Sequence, residues 1–454
     1  MFKDQRGVVF TCANDSAVTA FDETIVAYLA SSLETGPKLK ATLAADPDMT
    51  MAHCLKGYFF LLMGNASLLP RARKAFDQAR QRVGKTTSRE QAHVHALDLW
   101  LDDRADEATR LWEQILQDNP RDILAQRLAH HGHFYAGDSQ QMRSSLERTA
   151  RFWNAGDPGF GYILGMRSFA QEECGSYAEA EVTGRSAVDI EPNNPWAVHA
   201  VAHVMEMQDR PADGLVWIRE QQQNWDTANN FRYHLWWHRA LMHLDQGDTT
   251  EALRLYDEDL WDAESEEYLD LCNDVALLAR LEILGVDVGP RWKPLADKIK
   301  GRAADHLLSF IDAHFALGLA AAGDDRSVER LLETMEEKGG ELRIRVGLPL
   351  CRAMVAYRSG DFDRAASELV VLRGDIIRIG GSHAQRDLFE QILIDATIRS
   401  GDLAMAEKLV RERTANNPGN GLAWQKLADI QEMTGAAGQA ADCRGRANGL
   451  LVVN

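Results

Sequence analysis

The sequence predicts an all-α chain, built as a stack of antiparallel helix pairs. Three observations carry this: a recurring turn signal, prolines at regular helix ends, and almost no strand patterning. The turn signal is Gly-Asp or a near variant, followed by an Ala-rich amphipathic run. It stands as YAGDS at Gly137, ECGSYAEA at Gly175, DQGDTTEA at Gly247, AAGDDRS at Gly323, RSGDFDRAA at Gly360 and RSGDLAMAE at Gly401. The intervals are 38, 72, 76, 37 and 41 residues, so the two long ones each predict a degenerate copy. MQDRPADG at Asp209 fills the first, while WLDDRADEA near Asp103 and MTGAAGQA near Gly435 extend the array both ways. Short apolar runs such as ELVVL sit within helical periodicity.

Each helix pair follows from its punctuation. LWEQILQDNPRD, AVDIEPNN and RERTANNPGN run into Pro120, Pro192 and Pro418. Proline has no amide hydrogen and clashes with the preceding turn, so it closes the second helix of a pair. A period in the mid-thirties, with Ala in the second helix and Pro at the repeat end, matches the tetratricopeptide pattern. The prediction is one tetratricopeptide-like solenoid over 1–454, with atypical helices in 1–100 and recognisable repeats in 101–450.

Composition bounds the function. A chain of 454 residues, 45% hydrophobic, can bury a large core. No uninterrupted apolar window reaches the ~18 residues of a membrane span, and the N-terminus lacks a secretory signal's apolar stretch. Six scattered cysteines without a CxxC fit reduced thiols in a cytoplasmic protein. A formal charge of −18 argues against a nucleic-acid groove, which needs a basic stripe. There is no GxxxxGK[ST] or GxSxG, and GFGYILG has the wrong glycine spacing for a dinucleotide site.

The segments REQAHVHALDLW, EATRLWEQILQDNPRDILA, NNPWAVHAVAHVMEM, DVGPRWKPL, DAHFALG, VGLPLC and GGSHAQRDLFEQ together resemble the tetratricopeptide repeat protein 38 family over nearly the whole chain. The resemblance implies a single array of closely packed helices. It supplies no reaction.

Chemistry has to come from a few polar residues. WAVHAVAHVMEM places His199, His203 and Glu206 on one helical face by steps of four and three. If Asp209 holds the turn, Trp196, His199, His203 and Glu206 fall on the groove positions of a tetratricopeptide hairpin, while Val198, Val201, Ala202 and Met205 pack neighbouring helices. His199 and His203, one turn apart, are the candidate ligands for a divalent metal such as Zn. Glu206 is a third ligand, an orienting group or a general base. The alternative is a polar groove helix whose histidines hydrogen-bond to neighbours.

One repeat later, YHLWWHRALMH brings His234 and Trp237 toward the groove and sends Trp236 to the core, with His238 beside them. These could wall a pocket for a flat or cationic ligand. RLAHHGHFYAGD clusters His130, His131 and His133, of which at most two converge. FIDAHFALG offers His314, which Asp312 two residues earlier cannot face on one helix. In GGSHAQRDLFEQ, Ser382 is a fair N-cap, the helix start can take an anion, and Gln385 and Arg386 lie in the first turns. An ion pair of Arg386 with Asp387 or Glu390 is the competing reading. His93 shares a helical face with Glu90.

The residues thus support a His/Trp/acid-lined pocket for a small molecule, with Glu206, His238 and His314 as candidate catalytic groups. Trp196, His234, Trp237, Gln385 and Arg386 are the candidate ligand contacts. Whether the pocket is a metal-dependent enzyme is left open. The alternative is a scaffold that binds a protein or peptide in its concave groove, and self-association into a homo-oligomer is compatible with either. Neither reading expects nucleic acid or membrane as partner.

Overall fold

In the computed structural model the described residues, 1–451, are helical almost throughout, as expected for a tetratricopeptide-like helical-repeat protein. The chain forms two compact units: Met1–Val201 with Gln221–Arg232, and Ala202–Glu220 with Tyr233–Asn454. The division falls inside the helix Pro195–Met207. Among the described residues no helix is long and apolar enough to cross a membrane.

The repeating turn has a physical cause. A helix ends with unpaired carbonyls, and the next begins with unpaired amides. At Gly360 the chain enters the left-handed region, φ 82°. There the Gly360 amide donates to the Tyr357 carbonyl (3.3 Å) and the Asp361 amide to that of Ala356 (2.9 Å). The Asp361 carboxylate then accepts from the Arg364 amide and caps Phe362–Leu372. Two residues therefore finish one helix and start another.

The other sequence copies repeat this geometry. Gly137, Gly175, Gly247, Gly323 and Gly401 have φ between 67° and 85°. Asp103 and Asp209 adopt the same region without glycine, at φ 60° and 54°. The copy missing between Gly247 and Gly323 is Gly285, φ 81°, with the Gly285 and Val286 amides on the Glu282 and Leu281 carbonyls. It escapes the sequence pattern because valine, not aspartate, follows the glycine. Ala105–Asp118, Tyr177–Ile190 and Leu403–Asn416 each stop two residues before Pro120, Pro192 and Pro418.

Among the described residues the departures from the all-helical expectation lie in the N-terminal unit: an isolated antiparallel bridge of Ser32 with Ala228 and a two-stranded ribbon. Phe2–Lys3 pairs antiparallel with Val9–Phe10, the β-branched GVVF segment following a left-handed Gly7. Buried polar groups fasten this ribbon to the helices. Arg6 is ion-paired with Asp22, and Glu90 accepts from the Thr11 amide (3.0 Å) and hydroxyl (2.8 Å). Helices pack closely where side chains are small: a Cβ on Gly184 would lie 2.5 Å from Val201 Cγ2 and 2.6 Å from Ser168 Oγ. Phe21, Leu55, Tyr58, Trp112 and Phe169 centre the core.

The C-terminal unit runs from Pro211–Glu220 through Tyr268–Ile283, Ser309–Ala321 and His383–Ser400 to Ala437–Leu450. One contact spans most of its sequence. The left-handed turn residue Asp209 accepts from the Gly419 amide (2.8 Å) and the Asn417 side chain (3.3 Å).

Gly401, at φ 85°, has open space where a Cβ would stand. Gly401→Ala therefore tests backbone strain alone. It should destabilise by about 1–2 kcal/mol, with Gly401→Asn costing less because asparagine tolerates the left-handed region. Thermal unfolding checks this, and an alanine variant as stable as the parent would contradict the turn assignment.

Candidate functional site

The helix Pro195–Met207 is rich in Ala and Val, which let neighbouring helices approach from every side. The polar face expected to line a groove is as dehydrated as the apolar one: His199 is 2% exposed and His203 fully buried. Aromatic rings of the N-terminal unit pack around His199, and histidines of the C-terminal unit around His203.

In the N-terminal unit Trp196 is the hub of an aromatic cluster. Its ring lies 5.0 Å from Phe169, 5.2 Å from His199, 5.5 Å from Phe231 and 5.7 Å from His130. The Arg127 guanidinium sits 4.1 Å over it. His199 stacks on Phe169 at 5.4 Å. Burial pushes His130 and His131 well below the usual imidazole range, so both stay neutral. His133 instead bonds Glu113 at 2.9 Å. His93 meets Asp122 at 3.1 Å rather than Glu90.

In the C-terminal unit three histidines converge. His203, His234 and His238 each place a ring nitrogen within 4.8 Å of the others. His238 Nε2 lies 3.3 Å from His234 Nε2, and His238 Nδ1 lies 2.8 Å from Glu206 Oε2. Asn273 Nδ2 stands 3.2 Å from His234 Nδ1. With neutral rings these contacts form one chain: the Asn273 amide donates to His234, His234 Nε2–H to His238, and His238 Nδ1–H to Glu206. Burial holds His203 and His234 well below the usual range and His238 at about 3. Trp237 is stacked on His234 at 5.4 Å with Arg280 5.5 Å away, and is fully buried. Trp236, expected in the core, is buried there, and Trp237, expected toward the groove, is buried completely.

Glu206 also faces a cavity of about 860 Å³ whose wall comes wholly from the C-terminal unit. Glu206, Asp245, Arg280, Asp387, Arg413 and Lys426 charge that wall, and Leu241, Ile283, Ile376 and Ile394 supply apolar surface. Burial pushes the Glu206 and Asp245 carboxyls up to about 8. Burial also acts to raise Asp387, but Arg413 clamps it through two hydrogen bonds, one of 3.0 Å, and it ends at about 2. Arg280, lowered by burial, donates to the main-chain carbonyls of Ala276 (3.2 Å) and Ala384 (2.7 Å). Burial lowers the Lys426 ammonium as well.

The segment after Gly381 delivers Arg386 and His383 to the same wall. Arg386 Nη1 donates to the Gly381 carbonyl, and its Nη2 is 3.5 Å from His383 Nδ1. Its expected acidic partners serve other arginines: Asp387 holds Arg413, and Glu390 holds Arg373 at 2.8 Å. Ser382 caps His383–Ser400 as expected. Gln385 completes that capping box, its Oε1 accepting from the Ser382 amide at 2.9 Å. His314 is buried between Phe310 (4.3 Å) and Phe389 (5.4 Å), and Asp312 accepts from His306 at 3.0 Å. Burial holds His314 at about 4.

Sequence reasoning missed Arg280, Asp245, Arg413, Lys426 and Asn273. Arg280 carried a signal, a lone cation inside the apolar run VALLARLEIL.

No model of a known protein family matches the chain. Among solved structures it is similar to a human IFIT1 dimer with PPP-AAAA, at 13% identity and a TM-score of 0.41, covering 97% of this chain and 96% of that one. A tetratricopeptide repeat protein from Parabacteroides merdae aligns at 16% identity and 0.29, covering 64% and 93%. The P58(IPK) tetratricopeptide domain aligns at 12% and 0.23, covering 80% and 93%. Likenesses this loose carry no argument about what the chain binds.

Proposed function

We propose that the C-terminal unit binds a small anionic molecule in its 860 Å³ cavity. The observation that carries this is the state of the wall's charges. Arg280 spends its hydrogen bonds on main-chain carbonyls rather than carboxylates, and Lys426 is a partly buried cation. Two of the facing acids, Glu206 and Asp245, are held protonated at neutral pH. A wall with dehydrated cations and neutralised acids suits a ligand carboxylate or phosphate. The protonated carboxyls can then donate hydrogen bonds to it.

The cavity volume lies in the range of ordinary ligand sites. The finer family assignment, to the tetratricopeptide repeat protein 38 family, is proposed on the segments quoted above, and a cytoplasmic setting on the scattered cysteines. The alternative use of the repeats is a protein-interaction scaffold.

Thermal shift against mono- and dicarboxylates, phosphate esters and inorganic phosphate tests the reading. A binder present at a hundredfold excess over its Kd should stabilise by about 2.7 kcal/mol. Arg280→Met or Lys426→Met should abolish the shift. A protein partner captured by the parent and lost with Lys426→Met, together with no small-molecule hit, would replace the pocket with a scaffold.

The acids set the pH dependence. A carboxyl whose folded value is raised stabilises the fold while protonated, and that contribution is lost as pH rises from about 4.5 through about 8. Above about 8 the ionised Glu206 and Asp245 also repel an anion. Thermal midpoint and affinity should therefore both fall on the alkaline side, and Glu206→Gln should flatten both profiles. Profiles unchanged by Glu206→Gln would remove Glu206 from the account.

A further inference from the structure

We infer that His203, His234 and His238 form a trihistidine centre for a divalent first-row cation, Zn(II) by ligand type, with Glu206 and Asn273 orienting two of the rings. The inference goes beyond the anion reading, and the two share only Glu206.

The geometry supplies three independent marks. The first is spacing. Two imidazole nitrogens bound to one tetrahedral Zn(II) at about 2.0–2.1 Å stand about 3.3 Å apart. His234 Nε2 and His238 Nε2 are 3.3 Å apart, and His203 brings a third ring whose centroid is 4.4 Å from that of His238. The second is orientation. A metal-bound histidine almost always gives its other nitrogen to a carboxylate, amide or carbonyl. His238 does so to Glu206 at 2.8 Å, and the Asn273 side-chain amide stands 3.2 Å from His234 Nδ1, where a turned amide oxygen would accept. The third is dehydration. All three rings are at most 4% exposed.

Without a cation the facing Nε2 atoms must share one proton. Binding moves that proton from Nε2 to Nδ1 of His234, and the Asn273 side chain turns its oxygen to accept it. No proton leaves the pair.

The test uses the full-length, tag-free chain, stripped with chelator and reloaded with Zn(II) or Co(II). Elemental analysis should find one equivalent per chain. Co(II) should give the intense visible bands of a four-coordinate site. His234→Ala and His203→Ala should lose the bands while keeping the helical circular dichroism. Glu206→Gln, which leaves every ligand in place, should weaken affinity about 10–100-fold, and it decides the matter should an alanine variant misfold. Lys426→Met should lose anion binding and keep the metal, so failure of one reading is distinguishable from failure of the other. A wild-type chain that retains no metal, bands that survive both alanine variants, or unchanged affinity in Glu206→Gln would each overturn the assignment.

Discussion

The helix pairs of this chain depend on one economy of hydrogen bonding. A left-handed residue turns the last carbonyls of one helix inward, and where aspartate follows it, as at Asp138, Asp248, Asp324, Asp361 and Asp402, that side chain caps the next helix. Because two residues do both tasks, loops are short and neighbouring helices must pack antiparallel. The regular interval between turns follows from helix length alone. It also fixes which positions of each helix meet their neighbours, and hence where a polar side chain becomes dehydrated.

That dehydration gives the histidines and charged groups of the C-terminal unit their chemistry. Ala and Val along Pro195–Met207 bring helices close enough to exclude water around His203. An isolated buried imidazole or carboxyl would be costly, so these groups appear as a connected set: Asn273 to His234, His234 to His238, His238 to Glu206. On the cavity side the balance differs. Asp387 is ionised because Arg413 meets it in a paired hydrogen bond. Asp245 has no such clamp and is kept protonated.

The fold was legible because its signals are local. Glycine at positive φ, aspartate at an N-cap and proline after a helix end each act within a few residues. The Gly285 copy was invisible for the same reason, since Val286 replaces the usual cap. The site was legible only in part. Helical spacing correctly brings His199 beside His203, while the packing of Phe169 and Trp196 on the His199 ring is set by residues elsewhere in the chain. Arg280, Asn273 and Lys426 lie on helices far along the chain, and only packing sets them beside Glu206 and His234. The register sent Trp236 to the core, where it is buried, but did not show that Trp237 is enclosed as well.

The hydrogen bonds from Gly419 and Asn417 to Asp209 have a consequence for how this unit comes apart. Repeat stacks touch only their neighbours, so they ordinarily fray one repeat at a time from either end. Here a turn near the start of the C-terminal unit is fastened to one near its finish, over two hundred residues on. The repeats between these two turns cannot separate without breaking that contact as well. The unit is thereby changed from a zipper into a closed loop, with unfolding more cooperative than its repeats suggest and folding delayed until its ends have met.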